Sequence, residues 1–217
     1  MKRFAALLVL LFSAFAAAQP ASAQGGHALG VKAGWGSPSP TASDSVFTVE
    51  STEGSGGFVA GVSWEGGLWK GWSLEGEVLY VSREVTVGYS GVLPGVATTT
   101  VVYDIETLEV PFHAKYSFSS GATRPYLLGG WVTAIPLSVE QTGTLFGPSD
   151  TAKVKYNFDG VWLALEVGAG LEQKLGSDLG LGVDVRYVYG LNNVSDVEGE
   201  SLKMRDLRII AALKFRL

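Results

Sequence analysis

The stretch 161–189 states one rule twice, on either side of a turn. In its first arm Val161, Leu163, Leu165, Val167, Ala169 and Leu171 hold every second position, with Trp162, Ala164, Glu166, Gly168, Gly170 and Glu172 between them. In its second arm Leu179, Leu181, Val183, Val185, Tyr187 and Tyr189 alternate with Gly180, Gly182, Asp184, Arg186 and Val188. A strand sends successive side chains to opposite faces, so each arm carries an apolar row backed by a small or charged one. The connector 173–178 contains Gly176, Ser177 and Asp178, which are turn formers. A soluble sheet also alternates, with its apolar row turned to a core. Two features favour lipid instead. The arms match the ~9–11 residues a tilted strand needs to cross a bilayer, whereas ordinary strands centre near ~5–6. The second arm also ends its apolar row in Tyr187 and Tyr189, and such rings suit a headgroup interface. The stretch reads as a transmembrane hairpin.

The amino-terminal residues follow a different rule. Lys2 and Arg3 precede the apolar run 4–18, and Ala21-Ser22-Ala23 offers a small-residue cleavage site. Residues 1–23 therefore read as a cleaved secretory signal, and 24–217 as the exported domain. The apolar run is shorter than the ~18–20 residues of a membrane helix, which argues against a retained anchor. The absence of cysteine excludes a disulfide framework and acylation at a lipobox. No later apolar run has the length of a helical span. With 29 glycines and recurrent turn clusters, the exported part reads as one all-β domain. Its 16 basic residues, two of them in the signal, face 21 acidic ones. That balance, with no concentrated basic face, argues against a nucleic-acid partner.

The same alternation recurs along the chain. Strand one is 27–35, with Leu29, Val31, Ala33 and Trp35 on one face and Gly30, Lys32 and Gly34 on the other. A long polar loop is expected over 37–57, then strand two marked by Phe58, Ala60, Val62 and Trp64, and a short turn at 65–71. Strand three opposes Trp72, Leu74, Gly76, Val78 and Tyr80 to Ser73, Glu75, Glu77 and Leu79. A second excursion, 83–101, is rich in Val and Thr, and its edges would extend the flanking strands beyond the membrane. Strand four sets Leu108, Val110, Phe112, Ala114, Tyr116 and Phe118 against Glu109, Pro111, His113, Lys115 and Ser117, and Pro111, which lacks a donor, points to a bulge. After a turn at 119–123, strand five (124–139) is apolar on both faces around Leu127-Leu128 and Trp131-Val132, so its faces stay unassigned. Further loops are expected at 141–155 and 191–204. Strand eight alternates Leu207, Ile209, Ala211, Leu213, Phe215 and Leu217 with Arg208, Ile210, Ala212, Lys214 and Arg216.

The expectation is an all-β, eight-stranded, antiparallel up-and-down transmembrane β-barrel. Even strand number with alternating short and long connections is the pattern of bacterial outer-membrane barrels, whose short turns face the periplasm. The aromatics fit two girdles. Trp64, Trp72, Tyr116, Phe118 and Phe215 fall at the turn-side ends, and Trp35, Tyr80, Tyr187 and Tyr189 at the loop-side ends.

Five segments now resemble a known family. They are Gly30-Val31-Lys32-Ala33-Gly34, Leu108-Glu109-Val110-Pro111-Phe112-His113-Ala114-Lys115-Tyr116, Pro125-Tyr126-Leu127-Leu128-Gly129-Gly130, Gly168-Ala169-Gly170-Leu171-Glu172 and Arg186-Tyr187-Val188-Tyr189-Gly190-Leu191. In that order they are similar to the small outer-membrane β-barrel proteins labelled porin family or PorT-like, with an OmpA-type eight-stranded barrel. The resemblance implies that fold and a place in the outer membrane of a Gram-negative-type envelope, and little about activity. Two positions depart from the family's pattern. The chain ends in Leu217, with Phe215 two residues earlier, where an aromatic end is common, and His113 replaces a usual aliphatic residue.

The inward rows hold Lys32, Glu75, Glu77, Glu109, His113, Lys115, Glu166, Asp184, Arg186, Arg208, Lys214 and Arg216. A barrel of about eight strands has an interior only wide enough for its own side chains. Unpaired buried charge is costly, so these groups are expected to pair across the lumen and plug it. The alternative is a narrow ion or solute path. A lipid-modifying or proteolytic barrel enzyme would need a His beside a nucleophile or carboxylate, and only His27 and His113 exist. A lipocalin-like secreted barrel would turn the faces inside out. The leading expectation is a non-enzymatic surface-interaction or structural barrel without cofactor or metal. It would be monomeric, contact outer-membrane lipid, be inserted by the barrel-assembly machinery, and expose four loops to an unspecified partner. Asp196, Glu198 and Glu200, with Asp44 or Asp150, form a weak candidate for a divalent cation.

Overall fold

The computed structural model describes residues 26–44, 48–90, 99–144, 151–155, 160–193 and 200–217. The expected signal, 1–23, lies outside them, as do Asp150, Asp196 and Glu198. Eleven strands are present among the described residues: β1 His27–Pro38, β2 Thr41–Asp44, β3 Thr48–Gly67, β4 Trp72–Ser90, β5 Thr99–Ser117, β6 Thr123–Thr144, β7 Thr151–Lys155, β8 Trp162–Lys174, β9 Leu179–Gly190, β10 Glu200–Lys203 and β11 Arg205–Arg216. Eight of them form a ring in the order β5-β4-β3-β1-β11-β9-β8-β6, closed by pairing of β6 with β5. Every pairing is antiparallel, and β1 meets β11 from Ala28↔Arg216 to Pro38↔Asp206. Closure leaves the ring no free edge, which satisfies the backbone inside a membrane without help from water.

The turns at one end are short. Between β3 and β4, Leu68 N–H donates to the Trp72 carbonyl at 2.8 Å and Trp72 N–H to that of Trp69 at 2.9 Å. Gly71 supplies the left-handed backbone this turn needs, at φ 86°. In the ring's membrane part the faces separate cleanly. Val31, Val62, Leu163, Val167, Val183, Ile209 and their row-mates are exposed on the outside, while Lys32, Ser63, Glu166, Asp184 and Arg208 are buried within. The unassigned β6 follows the same rule. Leu127 and Trp131 face outward, and Tyr126, Leu128 and Val132 are buried inward. Both rows are apolar because here the inner wall packs against neighbours, with Leu128 seated beside Gly168.

Three expectations need correction. Among the described residues the segments 37–57 and 141–155 are largely strand, not loop, while the edges of 83–101 extend β4 and β5 as expected. β3, β4, β5 and β6 run 20, 19, 19 and 22 residues, against 12 for β1, β9 and β11 and 13 for β8. β7 adds to β6, and β2 with β10, within the expected loop 191–204, carries the β1–β11 ladder on in the same register, so among the described residues the wall is lowest at β8 and β9. In this extension the polarity of the faces reverses. Val85, Val87, Tyr89, Val101, Ile105 and Val139 cluster on the inner face with Trp162 and Met204. Glu84, Asp104 and Glu140 stand outside, opposite one another across the strands. Water has replaced lipid on the outside, so the sheet obeys the ordinary rule of apolar inside and polar outside. Finally, Pro111 makes no bulge. The β4–β5 ladder is interrupted there, between Gly76↔Phe112 and Leu79↔Glu109, but its register is unchanged. The irregularity lies at Glu106/Thr107, where Leu137 is the extra residue of β6.

Candidate functional site

The alternation that greases the outer wall aims the charged residues at one another. All twelve inward residues named above lie on the lumen side of ring strands. Eleven are buried, and Arg216 is 22% exposed at the mouth. They are joined by Glu65, Arg83, Glu172 and Asp206, which the sequence reading left out of the set.

The network has three levels. At mid-height Arg186 on β9 donates to Asp184 Oδ1 at 2.5 Å, Glu166 Oε1 at 2.9 Å and Glu77 at 3.0 Å. Lys32 on β1 donates to Glu75 at 2.6 Å and to Glu77 at 2.5 Å. Tyr126 O–H donates to Asp184 Oδ2 at 2.7 Å. Toward the tall end, Arg208 donates to Glu109 Oε2 at 2.7 Å and Asp206 Oδ2 at 2.6 Å. Arg83 joins the same two carboxylates, Asp206 at 2.8 Å. Toward the short turns, Lys115 and Lys214 share Glu65 and Glu172, and Arg216 donates to Glu172 Oε1 at 2.7 Å.

The strands joined in this way are not neighbours. In the ring, β9 lies four places from β4, and β11 four places from β5. Arg186–Glu77 and Arg208–Glu109 therefore bridge diametrically opposed walls. Each arginine forks to two or three carboxylates, a geometry a lysine cannot reproduce. Between the levels sits His113. Its Nε2 is 3.5 Å from Glu166 Oε1 and its Nδ1 3.8 Å from Glu77 Oε1, and among the described residues neither nitrogen has a hydrogen-bond partner. The imidazole has two carboxylates beside it, both already held by Arg186. His27, at the turn-side end of β1, stacks on Trp64 with centroids 5.7 Å apart.

The interface aromatics form two sets on the outer wall. Trp35, Tyr80, Tyr187 and Tyr189 are exposed toward the tall end, and Trp72, Phe118 and Phe215 toward the turns. Trp64 and Tyr116 are half-buried, the latter between Trp72 (5.0 Å) and Phe118 (5.1 Å). Phe58, Trp131 and the turn residue Trp69 add exposed rings that the sequence reading did not place in the girdles. Of the cation candidate, the side chains of Asp44 and Glu200 lie outside the described residues.

A closed antiparallel ring, apolar outside, charged and filled inside, with rings of aromatics at both borders, defines a small outer-membrane barrel. Sequence comparison agrees: the outer membrane protein beta-barrel domain matches residues 4–215. The chain belongs to that family and is an integral outer-membrane protein. No curated protein matches it. Among solved structures it is similar to the outer membrane protein OprG from Pseudomonas aeruginosa, at 14% identity and TM-score 0.51, covering 89% of this chain and 97% of that one. Neisserial surface protein A is 16% identical, with TM-score 0.49 and coverage of 88% and 97%. The outer membrane protease OmpT from Escherichia coli is 10% identical, with TM-score 0.46 and coverage of 90% and 98%. At these identities the likeness concerns the fold alone.

Proposed function

We propose that this protein is a permanently plugged barrel that anchors a surface-exposed outer end, where it acts as a structural or interaction element rather than as a pore or an enzyme. The observation that carries this reading is the pair of bridges Arg186–Glu77 and Arg208–Glu109 across opposed walls. Opening a path would strip several buried charges of their partners at once, each at a cost of several kcal/mol. The polar core thus fastens the walls, and contact chemistry belongs to the outer strand ends and their connections. Residues 1–23 serve as the export signal and 24–217 as the barrel. Outer-membrane lipid surrounds the apolar belt, the assembly machinery inserts it, and the edgeless ring works as a monomer without nucleic acid, metal or cofactor. His113 belongs to the plug, since the carboxylates beside it are held by arginine and neither of its nitrogens has a hydrogen-bond partner among the described residues.

The test is reconstitution of the purified barrel into a planar lipid bilayer. The expected trace is flat under applied voltage. Reproducible unitary steps that Arg186→Leu enlarges would replace this reading with a gated path.

A further inference from the structure

The turn-side mouth of the barrel opens into a vestibule of about 760 Å³. Its charge is lopsided. Lys70, Arg124, Lys174, Lys214 and Arg216 line it, against Glu65 and Glu172. Both carboxylates are already engaged by the plug, Glu65 by Lys115 and Lys214, and Glu172 by Lys115, Lys214 and Arg216. Lys70, Arg124 and Lys174 have no carboxylate within ion-pair distance among the described residues. Two of these three are fixed in place by one turn. Arg124 Nε donates to the Gly121 carbonyl at 3.2 Å and Lys174 Nζ to the Ser120 carbonyl at 3.2 Å. Each retains further N–H groups.

This excess is not what the chain's composition would produce by default, because the whole sequence carries a formal charge of −5. The opposite end is acidic, with Glu84, Asp104 and Glu140 in cross-strand register. Cations serving lipid headgroups would be expected on the outer rim. That rim is occupied by Phe118 and Phe215, whereas the unpaired cations line the concave mouth. The volume falls within the ~300–1,000 Å³ of small-molecule sites.

We propose that the vestibule binds a soluble multivalent anion bearing phosphate or carboxylate groups, which enters along the barrel axis from the periplasm. Arg124 and Lys174 make charge-assisted hydrogen bonds to it, and Lys70 closes the third side. The site does not depend on whether the lumen conducts.

The test uses the full mature chain in nonionic detergent micelles with inorganic pyrophosphate as the probe. Trp69 and Trp72 line the same space, so tryptophan fluorescence reports occupancy, and isothermal titration gives the affinity. The expected result is saturable binding that weakens as salt is added. Affinity falls by roughly tenfold or more in the double variant Arg124→Gln/Lys174→Gln, whose side chains keep a donor but lose the charge. It is unchanged in Lys203→Gln, a lysine on β10 at the other end. A retained fast-migrating band on an unheated gel establishes that the double variant is folded. Absence of saturation, or equal affinity in the folded double variant, overturns the proposal. Micelles doped with phosphatidylglycerol separate the two sources of phosphate. Undiminished pyrophosphate binding supports a soluble ligand, and displacement by the lipid overturns it in favour of a headgroup site.

Discussion

Arg186 and Arg216 both donate to carboxylates in the lumen, yet they stand in different dielectric surroundings. Arg186 is fully buried and is shared by Glu77, Glu166 and Asp184. Arg216 is 22% exposed and touches Glu172, which Lys115 and Lys214 also hold. Replacing Arg186 by Leu leaves buried carboxylates short of charge, and the loss should be about 3–5 kcal/mol. Replacing Arg216 by Ala should cost about 1 kcal/mol or less, since solvent and two lysines remain. Urea unfolding of both variants in lipid vesicles, followed by tryptophan fluorescence, checks the contrast. Equal losses would mean that depth in the barrel does not set the worth of an ion pair here. The same residue scale explains which members of the network were legible in advance. Lys32, Glu166 and Arg186 sit mid-strand, where alternation is unambiguous. Arg83 and Asp206 sit where apolar outward partners stop, so the pattern that would have turned them inward had no visible other half. Continuing the inward rows at a period of two finds all four: Asp206 lies one period before Arg208, Arg83 two periods beyond Leu79, Glu172 three beyond Glu166 and Glu65 one beyond Ser63.

Strands were readable wherever lipid sets the outer face. β8, β9, β11 and β1 needed nothing but period-two counting, because the bilayer demands an apolar row and the narrow lumen a polar one. The upper parts of β3 and β6 look like loops in the sequence, and those of β4 and β5 only like strand edges, because outer residues such as Glu84, Thr86 and Asp104 are those of a soluble surface. β6 resisted because Leu137 shifts its phase and its lower inner face is itself apolar. How closely two such elements approach can be tested at Gly130 on β6, opposite His113. A Cβ added there would collide with the Phe112 carbonyl and lie 2.9 Å from the His113 backbone. Gly130→Val should therefore push β5 and β6 apart and cost about 1–3 kcal/mol. Gly76→Val is the control, because a Cβ at Gly76 meets nothing closer than the Phe112 ring at 3.9 Å. The comparison is read from the denaturant midpoints of the two variants.

As a whole the molecule is a ring fastened from within, and its resistance should be collective. An unheated sample in dodecyl sulfate is expected to migrate as a compact band that slows after boiling. A single mobility at both temperatures would show that the ring opens in detergent. The unequal height of that ring has a further consequence. Four of its strands exceed the ~9–11 residues needed for crossing by about as many again, which at ~3.3 Å per residue and a tilt of about 45° lifts one wall ~20–25 Å past the bilayer. The sugars of the outer leaflet would bury the low side and leave the high one in view. An approaching antibody, phage or neighbouring cell would then meet an acidic palisade from one compass direction, and the barrel's rotation about its own axis would decide how often it is met.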